Sequence, residues 1–366
     1  MFKEVIRASS VLLGTIIGVG IFGVPYVASK SGFMVAIFYL LFLGTVATVV
    51  HLFYAKIVLS SGDGHRLVGH VREYLGRSWA RVASVTVVFV RFGSLLVYII
   101  VSGHFLSALL GGSPFWWSLI FFMLGSLAVF FGLKTVAVIE VLLSGFLLFS
   151  IVLIFFFGLP HITLANLSGF DVYNFFLPYG VVLFALGGIT AIADMEIIAK
   201  QNKNPEKTLY TSVIVGTLTA VVVTALFTLA VVGITGPSTT PEALSGLQGF
   251  LHPGVLVIGL VFGVVALFTS FLTIGLNLKK ILQLDFKIND HLAWGLTCLV
   301  PCVIFLLGLT DFIGVMGILG AVFGAMTPIY VSLIYRKVSS RFGFLSYLVI
   351  ALFVLGAIYE ITRKFL

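Results

Sequence analysis

Long apolar runs recur along almost the whole chain, and they leave it one solvent to fold in. A helix that crosses a bilayer needs about 20 mainly apolar residues. The sequence offers eleven such segments: 7–29, 33–58, 80–110, 114–133, 135–158, 177–199, 208–235, 255–284, 290–309, 312–335 and 342–362. Only the turn Gly111-Gly112-Ser113-Pro114 separates the third from the fourth. Inside lipid only helices and closed barrels satisfy every backbone group, and segments of this length predict helices. The expected fold class is an all-α membrane protein with 11 transmembrane helices. Charged residues make up 9% of the 366, against roughly 25% in a soluble domain. The first segment is as long as a span and has no small-residue cleavage site after a short core, so it does not read as a cleavable signal.

Charge sets the orientation. With the N-terminus in the cytoplasm, seventeen of the 21 Lys and Arg fall on the cytoplasmic side, and Lys30, Arg363 and Lys364 fall outside. That asymmetry follows the positive-inside rule. It predicts a multi-pass protein of the inner membrane with an external C-terminus. The net charge of +8 is spread between apolar segments, so it points to the lipid bilayer and not to nucleic acid. The basic loop 56–81 carries Arg66, Arg72, Arg77 and Arg81; it serves either topology or contact with anionic lipid head groups. Cys298 and Cys302, four residues apart in one apolar segment, read as packing residues.

The stretch GTIIGVGIFGVP (Gly14–Pro25) conflicts with an unbroken first span. Each interior glycine costs a helix roughly 0.5–1 kcal/mol relative to alanine, and proline removes a backbone donor. The sixth segment holds a second interruption, FALGGITAIAD (Phe184–Asp194), with Gly187-Gly188 and an acid in an apolar run. Helices 1–5 and 6–10 occupy stretches of nearly equal length. Five is odd, so the second half enters the membrane in the opposite sense. Each half opens on an interrupted helix and has its longer polar connection after its second helix, at 59–79 and 236–254. Paired discontinuous helices in inverted repeats produce this pattern. The expected organisation is a first repeat over 1–158, a second over 159–340 and an extra helix over 341–366. At such breaks half-helix N-termini bind anions and C-terminal ends bind cations, which suits a zwitterion. Close helix packing is the other use of membrane glycines.

GTIIGVGIFGVPYVASKSG (Gly14–Gly32) resembles helix 1 of the amino acid–polyamine–organocation transporter superfamily. HRLVGHVREYLG (His65–Gly76), GLKTVAVIE (Gly132–Glu140) and FALGGITAIADMEIIAKQNKNPEKTL (Phe184–Leu209) are similar to stretches of its amino acid/auxin permease branch and of bacterial aromatic amino acid permeases. The four motifs occur in order, and the resemblance covers most of residues 8–340. It implies the LeuT-type fold, helices 1 and 6 discontinuous, and secondary transport of amino acids.

The resemblance also assigns roles. The substrate carboxylate is expected at the N–H groups of Gly18, Val19, Gly20 and Ile21. The ammonium is expected at carbonyls near Phe184, Ala185, Leu186 and Gly187, with Phe184 either an aromatic lid or a lipid-facing ring. In sodium-coupled members one sodium joins helix 1 carbonyls to a carbonyl, a Thr and a Ser of helix 8. ALFTSFL (Ala266–Leu272) keeps that spacing in Ala266, Thr269 and Ser270, and Gly14 and Ile17 supply the matching carbonyls. Offsets of three and four share one helical face; the alternative is that both hydroxyls bond back to their own helix. The family's other solution is a helix 5 lysine, and helix 5 has only Lys134, at its mouth. Ile21 stands where a second sodium site would need Asn, so one sodium is expected.

Buried charges complete the set. Arg91, Glu140 and Asp194, with Glu196 nearby, fall in the cytoplasmic half of the spans. An unpaired charge there costs about 2.5–3.5 kcal/mol or more, so Arg91 is expected to pair with Glu140 or Asp194, as an inner gate or as a static pair. His51 and His104 also lie in spans and could relay protons or simply hydrogen-bond to a neighbour. No nucleotide loop, metal cluster or triad suggests an enzyme. The sequence reads as a symporter importing a neutral amino acid, aromatic or branched, with sodium as coupling ion and no other cofactor. A proton-coupled or exchange transporter of the same fold is the alternative in mechanism. A membrane amino acid sensor is the alternative in class, and a channel lacks its polar pore-lining stripe.

Overall fold

The computed structural model describes residues 2–61, 66–132, 136–339 and 342–365. His65, Lys134 and Arg341 lie outside the described residues, as do the side chains of 136–144 and 363–365, Glu140, Arg363 and Lys364 among them.

Among the described residues every regular element is helical. The helices are α1 (Phe2–Ile16), α2 (Gly20–Ser31), α3 (Phe33–Ser60), α4 (Leu67–Leu75), α5 (Arg77–Leu110), α6 (Pro114–Phe131), α7 (Val136–Gly158), α8 (Leu177–Ala185), α9 (Ile192–Ala199), α10 (Pro205–Thr235), α11 (Pro253–Leu284), α12 (Asp290–Leu306), α13 (Phe312–Ile318), α14 (Ala325–Val338) and α15 (Gly343–Phe365). Among the described residues, eight stretches are long and apolar enough to cross a membrane, with α8 and α9 counted together, as are α13 and α14. The pair α1 and α2 makes a ninth, bent by 59°. The apolar stretches Gly145–His161 and Asp290–Leu306 are shorter. The chain is a multi-pass membrane protein.

Local chemistry sets the ends of these helices. Gly32, at φ +109°, stops α2 and turns the chain directly into α3. Asn204 caps α10 by accepting the Lys207 N–H (3.2 Å), with Pro205 in the first turn, where its missing donor costs nothing. Asp311 caps α13 through the Gly314 N–H (2.9 Å). Two elements have no counterpart in the expected spans. The amphipathic α4 lies within the basic loop, and a π-helical stretch, Leu319–Gly324, joins α13 to α14.

The two interrupted segments pack on each other in the centre. α1 lies against α9 and α10, α2 against α8 and α10, and α8 against the π-helical stretch. A Cβ added at Gly20 would come within 2.6 Å of the Ala185 backbone, and one at Gly188 within 2.7 Å of Ile16 and Leu12. Gly20 therefore lets the two segments touch backbone to backbone, and Gly188 makes room for the Ile16 and Leu12 side chains. α6 and α15 present much of their apolar surface outward, with Trp116, Phe131, Phe344 and Leu355 exposed.

Candidate substrate and ion site

The first break is a local failure of the helical ladder. Gly18 N–H bonds Ile16 O (3.0 Å) in place of the Gly14 carbonyl four residues back. Ile21 N–H bonds Gly18 O (3.3 Å) in place of the Ile17 carbonyl. The Gly14 and Ile17 carbonyls are thereby released. Among the described residues, Val19 N–H makes no hydrogen bond. In the second break Gly187 N–H bonds Phe184 O (3.2 Å), which releases the Leu183 carbonyl. A backbone group without a partner in hydrocarbon costs several kcal/mol. Such groups are tolerated when they line a cavity, and these do.

A cavity of about 290 Å³ reaches both breaks. Gly18, Val19 and Gly20 form one wall, and Leu183, Phe184, Leu186, Gly187 and Gly188 form another. The cavity extends to Leu67 of α4, to Thr86, Val90 and Arg91 of α5, and to Thr327 and Pro328 of α14. It thus reaches toward the N-terminal end of the bundle. The other end is closed by packing. Phe22 meets Phe105 edge-on at 5.0 Å and Phe227 at 5.9 Å, and Gly23 lies against Met316. The helix ends supply the electrostatics. The N-terminus of α2 carries partial positive charge at Val19, and the C-terminus of α8 partial negative charge beside Leu183. The two walls thus offer opposite partial charges to a ligand.

A second, much smaller cavity adjoins the first. Its volume is about 10 Å³, close to that of one water-sized sphere. Gly14, Ile17, Ala266, Thr269 and Ser270 all line it, with Leu147, Leu267 and Phe22 sealing the rest. Gly18 and Val19 belong to both cavities. Thr269 Oγ1 donates to Ala266 O (3.1 Å), the back-bond open to any helical threonine, and as a donor it keeps its lone pairs for a further partner. Two released carbonyls, one helical carbonyl and two hydroxyls form an oxygen set without formal charge, suited to a hard monovalent cation.

Not every expected residue is at these walls. Ile21 is buried in the core with its N–H used locally, and Ala185 packs against Gly20, so neither lines the large cavity. The Phe184 carbonyl is taken by Gly187, and Phe184 is one of the residues lining the cavity. Asp194 pairs with Arg66 of the α4 loop (3.2 Å), not with Arg91. The reason is geometric: α4 lies across the N-terminal end of the bundle and carries Arg66 to α9. Glu196 pairs with Lys200 one turn on (2.6 Å). His51 lines the cavity and bonds Thr217 through Nδ1 (3.2 Å), whereas His104 faces outward from α5. The released Leu183 carbonyl and the π-helical wall at Leu319 and Gly320 have no counterpart in the expectations. The glycines at 317, 320 and 324 were the available signal for the second.

Comparison with known proteins agrees with this architecture. The sequence model of the tryptophan/tyrosine permease family matches residues 1–358. The low affinity tryptophan permease of Proteus vulgaris is 25% identical over 407 aligned positions, covering 99% of this chain and 95% of that protein. The crystal structure of MhsT in complex with L-phenylalanine superposes with a TM-score of 0.64 at 14% identity, covering 97% of this chain and 98% of that one. The inward facing conformation of Mhp1 gives the same TM-score and identity, covering 90% of this chain and 75% of that one. The fold is that of LeuT-type transporters, and the family that matches is the tryptophan/tyrosine permeases, with no support for the amino acid/auxin permease branch that the motifs suggested. By its match over nearly its whole length, the chain belongs to the tryptophan/tyrosine permease family.

Proposed function

We propose that this protein imports an aromatic amino acid across the inner membrane by alternating access, with one sodium ion as the coupling ion. The carrying observation is the cavity that meets both helix breaks and shares Gly18 and Val19 with the ion-sized cavity beside it. The substrate carboxylate lies at Val19 N–H, its ammonium at the Leu183 carbonyl, and its ring against Phe184. The sodium lies among Gly14, Ile17, Ala266, Thr269 and Ser270. Its occupancy favours the broken shape of the first span, and that shape presents Val19 to the carboxylate, which couples the two ligands.

Eleven spans carry this site in our reading. Residues 1–158 and 159–340 form inverted repeats, and 341–366 form the extra helix. The N-terminus is cytoplasmic and the C-terminus external, as the lysine and arginine distribution supports. The cavity then faces inward, and the Phe22, Phe105 and Phe227 cluster is the closed outer path. His51, in the cavity wall, supports a second reading in which a proton replaces sodium.

Uptake of a labelled amino acid mixture into proteoliposomes separates these readings. One arm has an inward sodium gradient, one has potassium only, and one has potassium with an acidic exterior. Uptake of aromatic amino acids with sodium alone is the expected result. Acid-driven uptake without sodium selects the proton reading. Saturable binding with no uptake in any arm selects an amino acid sensor.

A further inference from the structure

One charge in the large cavity has no use in the scheme above. Arg91 lies on α5, seven residues before Tyr98, so about 10 Å nearer the N-terminal end of the bundle along the helix. Both side chains line the cavity. Among the described residues Arg91 makes no ion pair, and its Nε is shut off from solvent with no hydrogen-bond partner. The acids nearest in sequence expectation are engaged elsewhere: Asp194 with Arg66 and Glu196 with Lys200. The helix that carries Glu140, α7, packs chiefly on α1, α10 and α11, whereas α5 packs chiefly on α4, α6, α11, α12 and the α13–α14 region. Among the described residues, none that lines the cavity is an acid. A guanidinium held in an apolar wall without a counter-ion is costly, and such residues mark ligand pathways. Its planar fork matches a carboxylate with two parallel hydrogen bonds.

We propose that Arg91 is a second, inner carboxylate-binding station, where the departing aromatic substrate is held by its carboxylate while its ring lies among Val87, Val90, Pro328 and Phe353. This rests on the transport reading for the identity of the natural ligand, but not for the chemistry of the station. The two stations differ in what they require. The helix breaks offer an N–H group for the carboxylate and a carbonyl for the ammonium. The Arg91 station offers a cation and apolar walls, with no acceptor of formal charge. It therefore takes aryl carboxylates that lack an ammonium, and it rejects aryl amines that lack a carboxylate.

Equilibrium dialysis of labelled indole-3-propionate and of labelled tryptamine against the purified full chain in detergent tests this. Wild type is expected to bind indole-3-propionate saturably and to show no saturable tryptamine binding. Arg91→Gln is expected to weaken indole-3-propionate at least tenfold, while sodium-dependent tryptophan binding at the breaks changes less than threefold. Arg91→Lys, which keeps the charge and loses the fork, is expected to fall between. Indole-3-propionate affinity unaltered in Arg91→Gln overturns the proposal. Loss of both ligands in Arg91→Gln with neither restored by Arg91→Lys also overturns it, because Arg91 is then a structural member. Absence of uptake in every proteoliposome arm removes the transport reading and leaves this titration standing.

Discussion

Replacing Gly20 by alanine tests the backbone contact on which the site is built. A Cβ at Gly20 would lie 2.6 Å from Ala185 Cα, 3.1 Å from its Cβ and 3.2 Å from its nitrogen. Ordinary contact begins at 3.4 Å, so the two backbones must part by about 0.8 Å, the difference between 3.4 and 2.6. Two of the three atoms are main chain and cannot swing aside. Overpacking of this kind costs about 1–3 kcal/mol, and each 1.4 kcal/mol is about a tenfold change in an equilibrium constant. The separation falls between the α2 N-terminus and the α8 C-terminus, so it reads directly on substrate affinity. Gly20→Ala is expected to weaken tryptophan binding by about 5- to 150-fold and to lower the melting temperature. Adding Ala185→Gly removes only the Cβ contact and should rescue in part. Gly145→Ala, with nothing within 4 Å on an outward face, should stay within about twofold of wild type in both measurements, since a surface substitution free of clashes is nearly neutral. Wild-type affinity and melting in Gly20→Ala would refute the proposed contact between the two breaks.

In the proposed sodium site, removal of an α11 hydroxyl acts on the ion. Thr269→Ala is expected to raise the sodium concentration for half-maximal uptake by about tenfold, the cost of about 1.4 kcal/mol for one lost ligand, and Thr269→Ser to restore most of it; sodium titration of uptake reads this. The Arg66–Asp194 pair is half-exposed, and a double-mutant cycle on melting should give a coupling of no more than about 1 kcal/mol. Asp171 ties the loop after α7 to the end of α2, where its own N–H bonds Ser31 O (3.0 Å). The Asn174 amide (2.7 Å), and then the Tyr173 N–H, hold its carboxyl below the ordinary value of 3.8. A lowered carboxyl stabilises above its unfolded value and loses that contribution as pH falls through the folded one. Wild type should therefore keep this contribution at pH 5 and lose it as pH falls below about 3.8, whereas Asn174→Ala, which removes the largest cause, should have a smaller contribution to lose. Identical melting curves between pH 5 and 3 would contradict the assignment.

The sequence carried the parts of the site that depend on short-range backbone chemistry. Glycines at 14, 18, 20 and 23 in one apolar segment signal an interrupted ladder, because little else puts so many poor helix formers in lipid. Residues 266, 269 and 270 share a helical face through their spacing alone, and they line one small cavity with Gly14 and Ile17. What could not be read depends on the third dimension. The partner of Asp194 comes from a loop 128 residues away, and no pattern in either segment announces it. The hydrogen-bond detail of the break, with Ile21 N–H used by Gly18 and Val19 N–H left over, follows from a tight local turn that composition does not specify. The π-helical wall differs from an α-helix by one residue per turn, which hydrophobic periodicity over six residues does not resolve.

The central claim is that two adjoining cavities bind one aromatic amino acid and one sodium ion and move them together. Simultaneous measurement of labelled tryptophan and labelled sodium entering the same proteoliposomes tests it most directly. The account predicts one sodium per tryptophan, with both fluxes falling together in Thr269→Ala at sodium concentrations below saturation. Tryptophan flux without accompanying sodium flux, or coupled flux that survives Thr269→Ala unchanged, would contradict it.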